Sequence, residues 1–128
     1  MTKAEFEKLA QFRYRLRLFL RFSEELTRSN GITALQYQLM LQVKGFPGRD
    51  WATVGELAER LQAQPHGVVS LISRCELGGL VKRRASSADK RRVEVRLTPK
   101  GEKLLARLAR LHRLELRSLR DVAELSPS

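Results

Sequence analysis

Seven cationic side chains lie close together between Val81 and Leu97, and their spacing points more directly to chemistry than any other feature of the chain. They are Lys82, Arg83, Arg84, Lys90, Arg91, Arg92 and Arg96. Positive charge at this density repels itself unless a polyanion lies nearby, and the phosphate backbone of nucleic acid is such a partner. The segment therefore predicts contact with nucleic acid.

Two short apolar runs flank a polar tip in the same segment. Leu80 and Val81 come before the tip at residues 86–89, and a second run follows it. In that second run, apolar residues alternate with charged ones, which is the period of a strand; the apolar residues are Val93, Val95 and Leu97. The arrangement predicts a β-hairpin that carries its cations around a turn.

Length and composition limit the class of protein. The chain has 128 residues, which suit one domain, and a net charge of +11, which attracts nucleic acid, acidic proteins or anionic membrane. No apolar run approaches the ~20 residues of a membrane span, and the N-terminus lacks the pattern of a signal peptide. Cys75 is the only cysteine, so no intrachain disulfide is expected. These features predict a cytoplasmic protein with no membrane partner.

Periodicity and capping signals predict a mainly α fold with a small β-hairpin. Thr33 with Gln36 and Thr53 with Glu56 have the spacing of capping boxes, and Pro65 and Pro99 suit first helical turns. The predicted helices cover residues 4–28, 34–43, 54–61, 65–77 and 99–125. The element order is four helices, the hairpin and a final helix.

The two terminal helices predict a homodimer. Residues 12–22 alternate like a strand, but the longer segment 4–28 lacks proline and glycine, which favours a helix. Its apolar arc is wider than one small core can cover, and the segment 99–125 is similarly rich in leucine. We therefore expect residues 4–28 and 99–125 to pair with their copies in a second subunit.

Two short helices, a tight turn and a basic hairpin together predict a winged helix-turn-helix that reads double-stranded DNA. Leu57, Ala58 and Leu61 of the supporting helix should face inward, and residues 62–64 should form the turn. In the recognition helix, the residues expected in the core are Val68, Leu71, Ile72 and Cys75. Those left to face the major groove are Gln64, His66, Gly67, Val69, Ser70, Ser73 and Arg74.

The hairpin, or wing, is expected to add a second set of DNA contacts. Arg91 at its tip suits a narrow minor groove, and Asp89 is placed to fix both the turn and the Arg91 guanidinium. Other wing cations should hold phosphates. The wing residues predicted to contact DNA are Lys82, Arg84, Ser86, Ser87, Asp89, Lys90, Arg91 and Arg92.

Residues 57–101 resemble the DNA-binding core of MarR-family (multiple antibiotic resistance regulator) transcription factors. The matching residues are Leu57-Ala58, Gly79-Leu80-Val81, Asp89, Arg91 and Leu97-Thr98-x-x-Gly101. The resemblance implies a homodimer that joins through its first and last helices and binds a pseudo-palindromic operator as a repressor, often relieved by a small-molecule effector. It implies one winged-helix domain over residues 1–128, with the DNA-binding core at 33–98.

Other classes of protein have little support in the sequence. There is no glycine-rich phosphate loop and no nucleophile with a plausible base, so we expect no enzyme and no cofactor. His66, His112 and Cys75 are too few for a metal site, and Cys75 is expected to be a buried structural thiol. Trp51 is expected to anchor a loop. The alternative function is a winged-helix protein-interaction module that docks an acidic partner.

Overall fold

The computed structural model describes residues 1–89 and 91–125, without the side chains of residues 114–116, 118, 119 and 121–125. Its elements are α1 (Lys3–Ser29), α2 (Ala34–Lys44), β1 (Trp51–Ala52), α3 (Val54–Leu61), α4 (Pro65–Leu77), β2 (Val81–Ala85), β3 (Val93–Leu97) and α5 (Pro99–Leu125). The mainly α fold with a basic hairpin, predicted from the sequence, is confirmed. Strand β1 was not predicted.

Capping boxes begin three of the helices. The Gln36 backbone N–H donates to Thr33 Oγ1 at 3.1 Å, and the Thr33 backbone N–H donates to the Gln36 side chain at 2.8 Å. The same reciprocal pair begins α3 at Thr53, as predicted, and a further one begins α1 at Thr2. Because each cap satisfies backbone donors that the helix leaves unpaired, these starts are determined locally.

The three strands form one antiparallel sheet in the order β1-β3-β2. Trp51 lies opposite Arg96, and Ala52 lies opposite Val95. Since successive side chains point to opposite faces, Ala52 and Val95 share the buried face, while Trp51 and Arg96 share the other. The wing is therefore the outer part of a three-stranded sheet and not an isolated hairpin.

The chain divides into two compact units, residues 32–106 and residues 1–31 with residue 107 onward. In the unit 32–106, α2, α3, α4 and the sheet pack around a shared core. Its fully buried side chains include Leu39, Met40, Val43, Leu57, Val68, Ile72, Cys75 and Val95. Leu57 and Ala58 are buried as expected, and Leu61 is half-buried.

The base of the wing is a close junction between the start of α5 and the residues just before β2. Thr98 Oγ1 donates to the Gly79 carbonyl at 2.5 Å, and the Thr98 backbone N–H donates to the Leu80 carbonyl at 3.0 Å. A Cβ atom on Gly101 would lie 2.0 Å from the Leu80 carbonyl oxygen. Gly79 has a φ of +72°, a left-handed conformation that favours glycine. These contacts explain why glycine stands at both positions.

In the other unit, His112 of α5 packs against α1. Its ring is buried, with Nε2 2.9 Å from Ser23 Oγ and Nδ1 2.7 Å from the Leu108 carbonyl oxygen. The rings of Phe19 and Phe22 are steeply inclined to the imidazole, with centroids 6.4 and 5.8 Å from its centroid. By contrast, five apolar or aromatic side chains of α1 are between 42% and 57% exposed: Phe6, Leu9, Tyr14, Leu18 and Leu20.

Within residues 1–89 and 91–125, no helix combines the length and the hydropathy that crossing a membrane requires.

Candidate nucleic-acid interface

Helix α4 divides its residues between the core and the surface as the sequence predicted. Its inward residues, Val68, Leu71, Ile72 and Cys75, are buried. Six of the residues expected to face the groove are exposed: Gln64, His66, Gly67, Val69, Ser70 and Arg74. Gln64 is the N-cap residue, but its side chain makes no capping hydrogen bond within the described part of the chain. The exposed side of α4 thus carries groups that can bond base edges.

Gly67 lies in the first turns of α4 with open space around it. A Cβ atom built there would meet no described atom within 4 Å. Packing therefore gives no reason for a glycine at this position. Helix propensity gives none either, because a glycine inside a helix makes the helix less stable than an alanine does, by ~1 kcal/mol. A small residue on the exposed side of α4 would let another backbone approach the helix closely.

Cys75 lies on the buried side of α4, as expected. Burial raises the pKa of the thiol to about 11, although the nearby Arg74 charge and a hydrogen bond with Gln36 oppose the shift. A thiol with so high a pKa holds little thiolate at neutral pH, so its role is packing.

Arg83 ties β2 to α4 and is not a free wing cation. Its Nε donates to Glu76 Oε1 at 2.8 Å, and its Nη2 donates to Ser73 Oγ at 2.9 Å. The Arg83 backbone N–H also donates to Glu76 Oε2 at 3.2 Å. These hydrogen bonds lower the pKa of Glu76, so the carboxylate stays ionised. Ser73, predicted to face the groove, is half-buried and accepts this bond.

Arg96 is likewise neutralised inside the fold. Its guanidinium donates to Glu94 Oε1 at 2.9 Å and to Asp50 Oδ1 at 3.3 Å. Glu94 is buried, although it alternates with apolar residues in the sequence, while Val93 is 39% exposed. Carboxylates of the same unit therefore neutralise two of the seven cations of this segment, Arg83 and Arg96, neither of which was among the wing residues predicted to contact DNA.

The turn at the tip of the wing is organised by Ser86 and Asp89. Ser86 is buried, and its hydroxyl accepts from the backbone N–H groups of Ala88 at 3.2 Å and Asp89 at 3.3 Å. Asp89 Oδ1 accepts from the Arg91 backbone N–H at 3.0 Å and lies 3.6 Å from Arg91 Nε. Asp89 thus contacts both the turn and the guanidinium, as predicted. Ser87 is exposed, and Lys90 lies outside the described residues.

Among the described residues of the wing, four basic side chains are exposed. They are Lys82, Arg84, Arg91 and Arg92. Arg91 is paired only loosely with Asp89, and its side chain is 95% exposed. Among the described residues, the other three make no ion pair. These four side chains are available to an anionic partner.

Several residues that shape this surface were missed by sequence reasoning. Glu76 and Arg83 belong to different elements, so no local periodicity links them. Trp51 was expected only to anchor a loop, but it belongs to β1 and lies beneath three arginine side chains. A two-residue strand has no periodicity to detect, and only an aromatic residue directly after Arg49 and Asp50 could have drawn attention to it.

A comparison with known proteins identifies a family that this sequence resembles. Residues 30–92 match the model of the MarR family. Transcriptional regulator HosA of Escherichia coli is 37% identical over 75 residues, which are 59% of this chain and 53% of that protein. The chain thus spans about half the length of the curated relatives it matches.

Solved structures share the fold at lower identity. AbsC, a MarR-family transcriptional regulator from Streptomyces coelicolor, aligns with a TM-score of 0.79 at 22% identity, over 95% of this chain and 82% of that one. A mutant MarR from E. coli complexed with operator DNA aligns with a TM-score of 0.70 at 20% identity, over 91% of this chain and 79% of that one. BpsR from Bordetella bronchiseptica aligns with a TM-score of 0.68 at 18% identity, over 84% of this chain and 74% of that one. Its structure was solved to explain how 6-hydroxynicotinic acid regulates its DNA binding. Residues 30–92 therefore belong to the MarR family, and 95% of the chain aligns with the winged helix-turn-helix fold of a solved member of that family.

Proposed function

We propose that this chain is a transcriptional regulator that binds a specific double-stranded DNA sequence as a homodimer. The observation that carries the proposal is the division among the basic residues of the wing. Carboxylates of the fold neutralise Arg83 and Arg96, whereas Lys82, Arg84 and Arg92 are exposed and make no ion pair with any described residue. Exposed cations next to a helix that presents Gln and Ser suit a DNA duplex.

In this proposal α4 lies in the major groove. Gln64 and Ser70 hydrogen-bond base edges, and Val69 contacts a thymine methyl group. The open space at Gly67 lets the DNA approach the helix closely. His66, Ser73 and Arg74 complete the surface of α4.

The wing supplies the second set of contacts. Arg91 reaches the minor groove, while Lys82, Arg84, Ser87, Lys90 and Arg92 hold phosphates. Ser86 is buried, so its proposed contribution is to hold the turn and not to touch DNA directly. Asp89 contributes by orienting Arg91.

The homodimer is proposed to form through the terminal helices. The exposed apolar side chains of α1 support this, because a monomer would leave them in water. A two-fold pairing would set two copies of α4 about one DNA turn apart, ~34 Å, and so match a palindromic site. Sedimentation of the full chain at micromolar concentration tests this part, and a clean monomer would contradict it.

The proposal also includes repression of transcription and control of DNA binding by a small-molecule effector. Support for the effector comes from BpsR, whose DNA binding 6-hydroxynicotinic acid regulates. We expect a small molecule to release this chain from its operator, which a screen for loss of DNA binding would reveal. We expect a reporter gene placed behind the operator to be silenced by the protein.

Selection of ligands from random duplex DNA by the full chain is the decisive test. We expect enrichment of a pseudo-palindrome and an affinity that falls steeply as salt rises. If no sequence were enriched, the regulator proposal would be rejected. Tight binding to an acidic protein in the absence of enrichment would instead favour the protein-interaction module.

A further inference from the structure

Three arginine side chains converge on the ring of Trp51, the single tryptophan of the chain. Their guanidinium carbons lie 3.9 Å (Arg49), 5.0 Å (Arg92) and 5.8 Å (Arg96) from the ring centroid. All three distances fall within the ~6 Å over which a cation is attracted to an aromatic face. Trp51 is therefore a common platform for residues from the loop before β1, the wing tip and β3.

Two of these arginines are also held by carboxylates. Arg49 pairs with Glu56 and stacks on Phe46, while Arg96 pairs with Glu94 and Asp50. Each still has one buried nitrogen without a hydrogen-bond partner in the described part of the chain, Nη1 of Arg49 and Nε of Arg96. The indole face is the group that offsets the cost of burying these nitrogens.

Arg92 differs because its guanidinium contacts the ring without being neutralised. Its side chain makes no ion pair with any described residue, but its backbone N–H and carbonyl are both hydrogen-bonded. The N–H donates to the Asp89 carbonyl at 3.0 Å, and the carbonyl accepts from the Ser86 N–H at 2.9 Å. With the backbone fixed, the Trp51 ring selects the direction in which the side chain points.

The adjacent residues Arg91 and Arg92 are thus held in two different ways. Asp89 orients Arg91 with a negative charge, which also weakens its attraction for phosphate. The indole carries no net charge, so Arg92 keeps its full attraction while its motion is restricted. Holding a long side chain before binding removes an entropy cost that binding would otherwise incur.

We propose that Trp51 is a positioning residue for DNA recognition, which holds Arg92 in one exposed orientation ready for a duplex. The proposal rests on the DNA-binding function proposed above. It assigns to β1 a role in binding, although Trp51 itself need not touch the DNA. It also explains why a two-residue strand carries the one tryptophan of the chain.

The test is a double-mutant cycle with the full chain and a short duplex that contains an A-tract. Trp51→Leu leaves the net charge unchanged, so a loss of affinity cannot come from charge. We expect Trp51→Leu to raise Kd by roughly threefold to tenfold and Trp51→Phe by less. In an Arg92→Ala background, Trp51→Leu should have no further effect. In the control Arg84→Ala background, it should keep its full effect.

The salt dependence separates positioning from contact. Arg92→Ala should flatten the slope of log K against log salt by about 0.9, as one lost phosphate contact predicts, whereas Trp51→Leu should leave the slope unchanged. Arg92→Ala should also shift the fluorescence of Trp51 in the free protein, since the cation leaves the ring. If Trp51→Leu fails to fold, Trp51→Phe takes its place in the cycle.

The outcomes distinguish this inference from the function on which it rests. If the wild-type chain binds no duplex, the proposed function is rejected and the role of Trp51 with it. If the wild-type chain binds but the ring variants bind equally well, or lose as much affinity in the Arg92→Ala background, only the role of Trp51 is rejected.

Discussion

The base and the tip of the wing are built on opposite principles. At the base, Thr98 bonds the Gly79 and Leu80 carbonyls, and Gly101 lies against the Leu80 backbone with no room for a Cβ atom. At the tip, a few backbone hydrogen bonds hold the turn while Arg91 and Arg92 remain exposed. Less than fifteen residues of sequence separate the two regions. One hairpin therefore joins a region that determines stability to a region that is free to determine binding.

The physical reason is the difference between close packing and exposed charge. A closely packed backbone junction cannot accept extra volume without moving, which costs free energy. Exposed charges contribute little to the stability of a fold, because water and salt screen them. Changes at the base should therefore alter the free energy of unfolding, whereas changes at the tip should alter DNA affinity alone.

The largest effect is expected at the base, for Gly101→Ala. The added Cβ atom would lie 2.0 Å from the Leu80 carbonyl oxygen, so the start of α5 or the residue before β2 must move. We expect the free energy of unfolding to fall by at least ~2 kcal/mol, measured by urea denaturation. Gly55→Ala is the matched control, since a Cβ atom there meets nothing within 4 Å. Equal stability of the two variants would contradict the close junction.

At the tip, Arg91→Ala should show the opposite behaviour. With a side chain 95% exposed, its loss should leave the melting temperature unchanged. We expect affinity for the selected operator to fall about tenfold, roughly 1.4 kcal/mol, in a binding titration. Asp89→Ala should also weaken binding, because the turn and the guanidinium lose their support. Tighter binding by Asp89→Ala would show that net charge outweighs orientation.

Much of this contrast could be predicted from the sequence, because its signals are local. Capping boxes at Thr33 and Thr53 and the alternation of β3 predicted the helices and the hairpin within a residue or two. The motif around Gly79 and Gly101 was evident as a resemblance. Its physical reason, the approach of Gly101 to the Leu80 carbonyl, joins residues too far apart in sequence for any periodicity to reveal.

The sequence could not show which charged side chains the fold would bring together. Arg83 is one of the seven cations that the sequence places in this segment, but Glu76 of α4 neutralises it. Glu94 alternates with apolar residues in the sequence, yet it is buried beside the Arg96 guanidinium. A sequence shows that a residue is charged but not which carboxylate will reach it, so the neutralised cations could not be identified from the sequence alone.

Between base and tip, the Arg83–Glu76 pair should give an intermediate effect. Glu76→Gln removes the charge of a partly exposed pair, so we expect a loss of about 1 kcal/mol in the free energy of unfolding. The pKa of Glu76 is lowered in the folded chain, so its stabilisation is present above the unfolded pKa and is lost as pH falls through the folded value. The difference between wild type and Glu76→Gln should therefore shrink below about pH 4.

Glu59→Gln serves as the control for that comparison, because Glu59 is exposed and forms no ion pair in the described part of the chain. The Arg83–Glu76 pair would be shown not to stabilise the fold by either of two results. One is an equal loss of stability in the two variants, and the other is a difference in unfolding free energy between wild type and Glu76→Gln that stays constant at acid pH.

At Gly67 a small gain in stability is expected, and stability and DNA binding should move in opposite directions. A methyl group meets open space there, so Gly67→Ala should raise the free energy of unfolding by up to ~1 kcal/mol through helix propensity alone. If the DNA backbone approaches α4 at this point, the same methyl group should weaken operator binding. Urea denaturation and a binding titration on one preparation measure both quantities. A variant that is more stable and binds equally well would show that the DNA does not come close to Gly67, and the orientation proposed for α4 in the groove would have to change.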